Sequence, residues 1–252
     1  MDADFMMQII IANPWFAYSL VGFGAILAAI ILWRAKNGDA VSLFGLNVQS
    51  NSQLKVLEKD LEKLNEDSKQ KSYVITSLNK LASEVSRVMT EPESRAAFED
   101  QRRRIYNYLL SCVVAVMAGK KANNPKVCIF VDAGDGTLKV HEAAAHSPDG
   151  MRKLRLPISD SAAGYTFHTG EAFFSGEIHT PGNRFKVHPK AESTYHSLIC
   201  VPIKSGDRVI GVLSVTGDET RSYTSDEKNY LTAFASVLSP LLYMELYRKI
   251  PV

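Results

Sequence analysis

Cysteine is scarce in this sequence. Its 252 residues include only Cys112, Cys128 and Cys200, which lie far apart in apolar surroundings and form no C-x-x-C pair. An odd number without such spacing argues against a disulfide framework and against a thiolate zinc site. We interpret all three as small buried hydrophobic side chains of a protein from a reducing compartment.

A large excess of charge is also absent. Lysine and arginine total 29 and aspartate and glutamate 27, so the net charge is +2. Such a balance gives no whole-chain field to attract a polyanion, and we expect no nucleic-acid partner. The hydrophobic fraction of 46% is ordinary for a folded protein, and the length suffices for one average domain with additional elements.

Charged residues are missing altogether between Met6 and Trp33. The most apolar part begins at Trp15 and spans roughly 27 Å as a helix, close to the hydrocarbon thickness of a bilayer. We therefore predict a transmembrane helix at residues 14–34, after a short tail at residues 1–13. A buried core helix is the alternative, but no second apolar segment nearby would cover it.

The flanking charges predict an orientation. Asp2 and Asp4 precede the apolar segment, whereas Arg34 and Lys36 follow it. By the positive-inside rule, we expect a single-pass protein of the inner (plasma) membrane with its N-terminus outside and the remainder in the cytoplasm.

Two patterns predict a homo-oligomer. Gly24 and Ala28 share one helix face, where small residues allow a second helix to approach closely. After a polar linker at residues 35–52, a heptad pattern typical of a coiled coil covers residues 53–89. Its positions are Leu54, Leu57, Leu61 and Leu64, then Ser68, Lys71, Ile75, Leu78, Ala82, Val85 and Met89. The alternative is an amphipathic helix packed on the following domain.

Capping motifs predict the first and last helices of a separate domain. Thr90 with Glu93 and Thr224 with Glu227 have the spacing of capping boxes. The first of these helices carries three consecutive arginines at positions 102–104. A solvated face explains such a run, and a phosphate-bearing ligand or partner is the alternative.

Strands and turns lie between these two helices. "KVCIFVD" and "TLKVHEAA" predict a hairpin that turns at residues 135–136, and "SLICVPI" and "RVIGVLSV" predict two core strands. "SDSAAGYTFHTG" predicts a short helix with Ser159 as its N-cap and Gly170 as its end.

The order of these motifs resembles a GAF domain. "AAGYTFHTGEAFF", a long loop, "YHSLICVPIKSGDRVIGVLSV" and "YTSDEKNYLTAFASVLSPLL" carry the resemblance, which we place at residues 91–250. It implies an α+β fold with a central antiparallel sheet and the first and last helices on one face. It also implies a ligand pocket on the other face, under the short helix and the long loop, and pairing of two domains through their terminal helices.

The resemblance also bears on the ligand. Members of the family bind cyclic nucleotides, tetrapyrroles, haem or small metabolites. Tyr223 and the pair at residues 226–227 match part of the cyclic-nucleotide pattern, whereas Thr216 and Gly217 occupy the place of its asparagine-lysine pair. No cysteine lies in the loop region for bilin attachment or sulfoxide reduction. We expect a small-molecule or nucleotide ligand and no cofactor.

Candidate ligand-binding residues combine aromatic faces for stacking, polar groups for hydrogen bonds and one guanidinium for a phosphate or carboxylate. They are Phe167, His168, Thr169, Arg184, Phe185, Tyr195, His196 and Ser197. The alternative is that the aromatic rings belong to the core and the histidines are solvated. The histidine spacings match no metal motif, so we expect no metal site.

No nucleophile with an adjacent base is evident, so we do not expect an enzyme. Membrane sensors with this domain usually continue into a catalytic output domain, and none follows the last helix in this sequence. We therefore expect a membrane-anchored ligand sensor that signals through its coiled coil and membrane helix, or through a separate output protein. Its most specific form is a nucleotide-triggered effector of bacterial signalling or anti-phage defence. The alternative is a membrane adaptor whose GAF-like domain binds a partner protein and no small molecule.

Overall fold

The computed structural model describes residues 14–36, 41–43, 46–48, 51–90, 95–118, 124–144, 146–180, 185, 195–220 and 223–247. The chain divides into two compact units, Met1–Lys69 and Gln70–Val252. The boundary falls inside a long helix, within the segment for which the sequence predicts a coiled coil.

The first unit contains helix α1 (Pro14–Lys36), the antiparallel strands β1 (Val41–Leu43) and β2 (Leu46–Val48), and the start of helix α2 (Asn51–Thr90). The strand pair lies in the stretch that the sequence predicts to be a polar linker, residues 35–52. Gly24 and Ala28 are both exposed on α1. Among the residues that the structure describes, no helix combines the length and the apolar character needed to cross a membrane.

Helix α2 changes character along its length. The leucines of its first half are 50% to 64% exposed; they are Leu54, Leu57, Leu61 and Leu64. In the second unit a stripe of side chains is buried instead: Val74, Ser77, Leu81, Val85 and Val88. Of the predicted heptad positions in this half, Ile75 and Met89 are exposed and Val85 is buried, and their pairing between two chains stays a prediction. Residues 70–90 thus pack as an amphipathic helix on the domain that follows, the alternative considered from the sequence.

A six-stranded antiparallel sheet forms the centre of the second unit. Its strands lie in the order β5-β4-β3-β8-β7-β6. They are β3 (Lys126–Asp132), β4 (Thr137–Ala144), β5 (Arg155–Pro157), β6 (Phe173–Ser175), β7 (Ser197–Ser205) and β8 (Arg208–Gly217). The predicted hairpin β3–β4 is present, and Gly136 supplies a positive φ of 81° in its turn. The sheet and its helices confirm the predicted α+β fold.

Helices cover one face of this sheet. Helix α3 (Arg95–Ala118), helix α6 (Ser225–Tyr247) and the end of α2 share one apolar cluster with inward side chains such as Ile129, Ile199 and Leu213. The predicted capping box at the start of α6 is confirmed, since the Thr224 N–H donates to Glu227 Oε2 at 2.8 Å and the Glu227 N–H donates to Thr224 Oγ1 at 3.1 Å. The first predicted capping box lies partly in residues 91–94, outside the described residues.

The short helix α5 (Ala162–Thr169) covers the opposite face, and helix α4 (Pro148–Lys153) precedes it. The N-cap of α5 is Ser161, and the predicted Ser159 is wrong. Because Ser161 stands three residues before Gly164, its Oγ accepts the Gly164 N–H at 2.9 Å. Gly170 ends the helix at φ 69°, as predicted.

Candidate ligand-binding cleft

A cleft of about 660 Å³ lies beside α5, on the face of the sheet opposite α3 and α6. This volume is within the range of small-molecule binding sites. The lining comes from the β3–β4 turn, the segment before α5, one side of α5 and the long loop: Gly136, Ile158, Ser159, Asp160, Tyr165, His168, Thr169 and Phe185.

Aromatic rings form one wall of the cleft. The ring centroids of Tyr165 and Phe185 are 5.9 Å apart, and Phe173 lies 5.3 Å from Phe185 and 6.3 Å from Tyr165. The Tyr165 hydroxyl donates to Glu171 Oε2 at 2.7 Å, which fixes the orientation of its ring. A cluster held in this way offers flat faces on which a planar ring can stack.

Polar groups stand next to this wall. Asp160 and His168 are exposed, so a carboxylate and an imidazole are available to the edge of a bound ring. The Thr169 hydroxyl donates to the Tyr165 carbonyl oxygen at 2.8 Å and accepts the Glu171 N–H at 3.2 Å. It therefore helps to shape the C-terminal end of α5.

Side chains fill the space directly beneath α5. Ala162 and Ala163 are buried in an apolar cluster with Cys128, Phe130 and Cys200. The sequence places the pocket under the short helix, but the structure places the cleft at the side of this helix. One polar group lies in the packed region: Thr166 is fully buried, and its hydroxyl has no hydrogen-bond partner among the described residues.

The thiols on this face of the sheet are buried. Burial raises the pKa of Cys128 to about 12 and that of Cys200 to about 12. Cys128 Sγ lies 3.1 Å from His146 Nε2, but burial lowers the pKa of this histidine, so both groups are neutral at pH 7. Neither cysteine provides the thiolate that nucleophilic or redox chemistry requires.

Three of the predicted ligand-binding residues line the cleft, namely His168, Thr169 and Phe185. Phe167 packs, partly buried, against the apolar cluster beneath α5. Arg184 lies outside the described residues.

The other three predicted residues lie at the start of β7. Ser197 is buried and lies two residues before Ile199 in β7. Both side chains therefore point to the same face of the sheet, the face that the long helices cover. Burial raises the pKa of Tyr195 to about 12, and the thiols of Cys200 and Cys128 contribute to this shift. His196 stacks edge-on against His179, with ring centroids 4.9 Å apart.

Sequence reasoning missed two residues of the cleft that matter for recognition, Tyr165 and Asp160. A signal for Tyr165 was present, because Tyr165, His168 and Thr169 are spaced i, i+3 and i+4 and therefore share one helix face. Asp160 stands in the turn before α5, and no periodicity marks it.

This sheet, with long helices on one face and a short helix beside a cleft on the other, is the architecture of a sensor-type α+β domain. Residues 118–242, just under half of the chain, match the family model described as GAF domain. The chain has no significant match among the curated proteins.

Solved GAF domains share the fold. The GAF domain of the Acinetobacter phosphoenolpyruvate-protein phosphotransferase is 14% identical with a TM-score of 0.54, over 70% of this chain and 97% of that chain. The corresponding domain from Coxiella burnetii is 15% identical with a TM-score of 0.52, over 69% and 95%. A free methionine-R-sulfoxide reductase from Neisseria meningitidis is 19% identical with a TM-score of 0.42, over 60% and 91%. At these identities the likeness to the two phosphotransferase domains concerns the fold alone.

Proposed function

We propose that this protein is a membrane-anchored sensor whose GAF domain binds a planar small molecule, a nucleotide in the most specific form, in the cleft beside α5. The observation that carries the proposal is the aromatic wall of Tyr165 and Phe185, against which Phe173 packs, next to the polar groups of Asp160 and His168. A planar heterocycle matches both, because its faces stack and its edge forms hydrogen bonds.

Arg184 completes this proposal from the sequence. It directly precedes Phe185, and a guanidinium at that position can bind a phosphate or carboxylate in a bidentate manner. We propose that Arg184 binds the acidic group of the ligand and that Phe185 and Tyr165 stack on its ring.

The proposed membrane anchor is the segment at residues 14–34. Its support is the uncharged stretch from Met6 to Trp33 and the exposure of large apolar side chains on α1: Phe23 is 66% exposed, Ile30 50% and Trp33 66%. Such side chains are stable in a lipid environment. In this proposal the N-terminus is outside the inner membrane and the GAF domain is in the cytoplasm.

We further propose that the protein is a homo-oligomer without an enzymatic output. The exposed leucines of the first half of α2 form one heptad stripe, and Gly24 and Ala28 provide a small-residue face on α1. Ligand binding would change the association of these helices. The changed association would act on the membrane itself, as in an anti-phage membrane effector, or it would signal through a separate output protein. Buried thiols of raised pKa support the absence of cysteine-based catalysis.

A binding experiment on the full chain in detergent tests the sensor function. We would combine native mass spectrometry with thermal shift against cyclic mononucleotides, cyclic oligonucleotides and small metabolites. A specific ligand raises the midpoint of unfolding as its concentration rises, because it binds only the folded state. Phe185→Ala should weaken binding about 10-fold or more through lost stacking. Phe174→Ala is the matched control, because Phe174 is 51% exposed and does not line the cleft.

Two results would contradict this proposal. One is equal binding by the Phe185→Ala and Phe174→Ala variants, which would place the ligand elsewhere. The other is the absence of any shift and of any co-purifying small molecule, which would favour the adaptor that binds a partner protein. The oligomer is tested separately by Leu57→Asp with Leu61→Asp, which should reduce the mass of the assembly. Because the proposal couples association to ligand binding, the change in ligand affinity of this variant measures that coupling.

A further inference from the structure

Glu177, His179 and His196 come together outside the cleft, where β6 has ended and β7 is about to begin. One potential ligand atom from each side chain lies within 4.8 Å of the other two. His196 Nδ1 is 3.8 Å from Glu177 Oε1, and the two imidazole centroids are 4.9 Å apart. The side chains are partly exposed, so an ion from solvent can reach them.

Backbone hydrogen bonds hold these residues in register. The Ile178 N–H donates to the His196 carbonyl oxygen at 2.8 Å, and the His196 N–H donates to the Gly217 carbonyl oxygen at 2.8 Å. The first bond fixes the segment that carries Glu177 and His179 beside His196. The second fixes His196 to the end of β8, so the cluster stands on the sheet.

A second layer of hydrogen bonds orients the side chains. His179 Nε2 lies 3.0 Å from the Tyr195 carbonyl oxygen, which only accepts, so Nε2 carries the proton and Nδ1 retains its lone pair. Metal-binding histidines characteristically donate their other N–H to such an oxygen. The Glu177 carboxylate accepts hydrogen bonds from the Thr220 hydroxyl and from the His179 N–H.

We propose that Glu177, His179 and His196 form a binding site for a divalent transition-metal ion, with Zn²⁺ as the expected ion. Two imidazoles and one carboxylate are a frequent zinc ligand set, in which water takes the fourth position. Mg²⁺ and Ca²⁺ prefer oxygen ligands throughout. Tetrahedral Zn²⁺ places its ligand atoms about 3.3–3.6 Å apart, so the cluster closes by about 1 Å when the ion binds.

The position in the chain indicates a structural role for the ion. His179 precedes and His196 follows the segment that carries Phe185, which contributes to the wall of the cleft. An ion shared by the two histidines joins the residues after β6 to the start of β7, on either side of this segment. The site is distinct from the cleft and does not depend on a ligand being bound there.

Zinc binding by the untagged full chain in detergent tests this proposal. After treatment with a chelator, the protein is titrated with Zn²⁺ against a competing indicator, and its thermal midpoint is measured with and without the ion. We expect one Zn²⁺ per chain and a higher midpoint with Zn²⁺, but no shift with Mg²⁺ or Ca²⁺. His179→Gln, His196→Gln and Glu177→Gln should each weaken Zn²⁺ binding by about 10-fold or more, because each removes a direct ligand.

Two further variants make the test sharper. Thr220→Val removes only the hydrogen bond to Glu177 and should weaken zinc binding by about 10-fold while the metal-free midpoint stays unchanged. His168→Gln is the matched control, because it removes an exposed imidazole outside the cluster and should leave zinc affinity unchanged. Equal zinc affinity of the His168→Gln and His196→Gln variants would overturn the proposal, as would a zinc-induced midpoint shift that survives Glu177→Gln. If a ligand variant proves unstable without metal, Thr220→Val still decides the question.

Discussion

Arg102 on α3 and Glu245 on α6 form an ion pair in which Nε and Oε2 are 2.8 Å apart. Only 19% of the arginine side chain and 9% of the glutamate side chain are exposed. Arg102 also donates to Glu142 Oε1 at 2.9 Å, and Glu245 accepts the Tyr106 hydroxyl at 2.9 Å and contacts His141 Nε2 at 2.9 Å. This network joins α3, β4 and α6 at one side of the domain.

Loss of the Arg102 guanidinium should destabilise the domain strongly. Arg102→Ala leaves the Glu245 carboxylate buried without its cation, and breaking a buried pair in this way costs about 3 kcal/mol or more. Arg104→Ala is the control, because Arg104 pairs with Asp100 on the surface, where 74% and 54% of the side chains are exposed. Its cost should stay below about 1 kcal/mol. Urea denaturation measures both, and equal losses would show that the network contributes no more than a surface pair.

The arginine run at residues 102–104 also shows what sequence could not predict. A solvated face and a phosphate site were the two interpretations, and for Arg102 the structure shows neither. Its partner Glu245 is 143 positions away in the chain, so only the packing of α6 against α3 identifies the ion pair. Local signals were more reliable, since the hairpin turn at Gly136 and the capping box at Thr224 depend on neighbouring residues alone.

The carboxyl of Glu245 predicts a loss of stability in acid. Burial alone would raise the pKa of Glu245, but hydrogen bonds from His141 and Arg102 outweigh it and hold the pKa below its ordinary value of 4.5. A lowered pKa in the folded state stabilises the protein fully above about pH 4.5. This contribution is lost as the pH falls through the folded-state pKa, because the unfolded chain binds the proton more tightly than the folded chain does.

Glu245→Gln tests this linkage. The variant should be less stable than the parent at pH 7 by about 1 kcal/mol or more, and the difference should shrink below pH 4.5. Urea denaturation between pH 3 and pH 7 measures it. Glu99→Gln is the control, because Glu99 is 52% exposed and lies 3.8 Å from Arg102. A difference between parent and Glu245→Gln that is constant with pH would show that the carboxyl does not titrate as described.

Gly164 is required by a close approach of α5 to the preceding segment. A Cβ at this position would lie 2.3 Å from the Ile158 carbonyl oxygen and 2.6 Å from the Ile158 Cα. Alanine normally stabilises a helix interior relative to glycine by about 0.5–1 kcal/mol. Here the obstacle is backbone, so we expect Gly164→Ala to destabilise by about 1–3 kcal/mol.

Thermal or urea unfolding shows whether Gly164→Ala stabilises or destabilises the protein. His168→Ala is the control on the same helix, because His168 is exposed and its replacement creates no overlap. A Gly164→Ala protein as stable as the parent would mean that α5 can move away from Ile158 at little cost. In that case ligand affinity should still fall, since Ile158 and Tyr165 line the cleft together.

The second half of α2 and the cluster of Glu177, His179 and His196 show why other features escaped prediction. Val74 and Ile75, like Val88 and Met89, are adjacent apolar residues, so two helix stripes one residue apart fit the sequence equally well. The domain selects the stripe that contains Val74. Glu177 and His196 likewise share no local motif, and they meet only because residues after β6 lie against the start of β7.

The cysteines predict a last property that bears on catalysis. With a pKa of about 12, each of Cys128 and Cys200 is a thiolate in about one molecule in ten thousand at pH 8. Cys112 is 1% exposed. Iodoacetamide should therefore label the native chain very slowly and the guanidinium-unfolded chain at three sites, as mass spectrometry can count. Ala172→Cys, at an exposed position, is the control that should label promptly. Native labelling of Cys128 or Cys200 at the rate of the introduced thiol would reveal an accessible thiolate and reopen the case for cysteine-based chemistry.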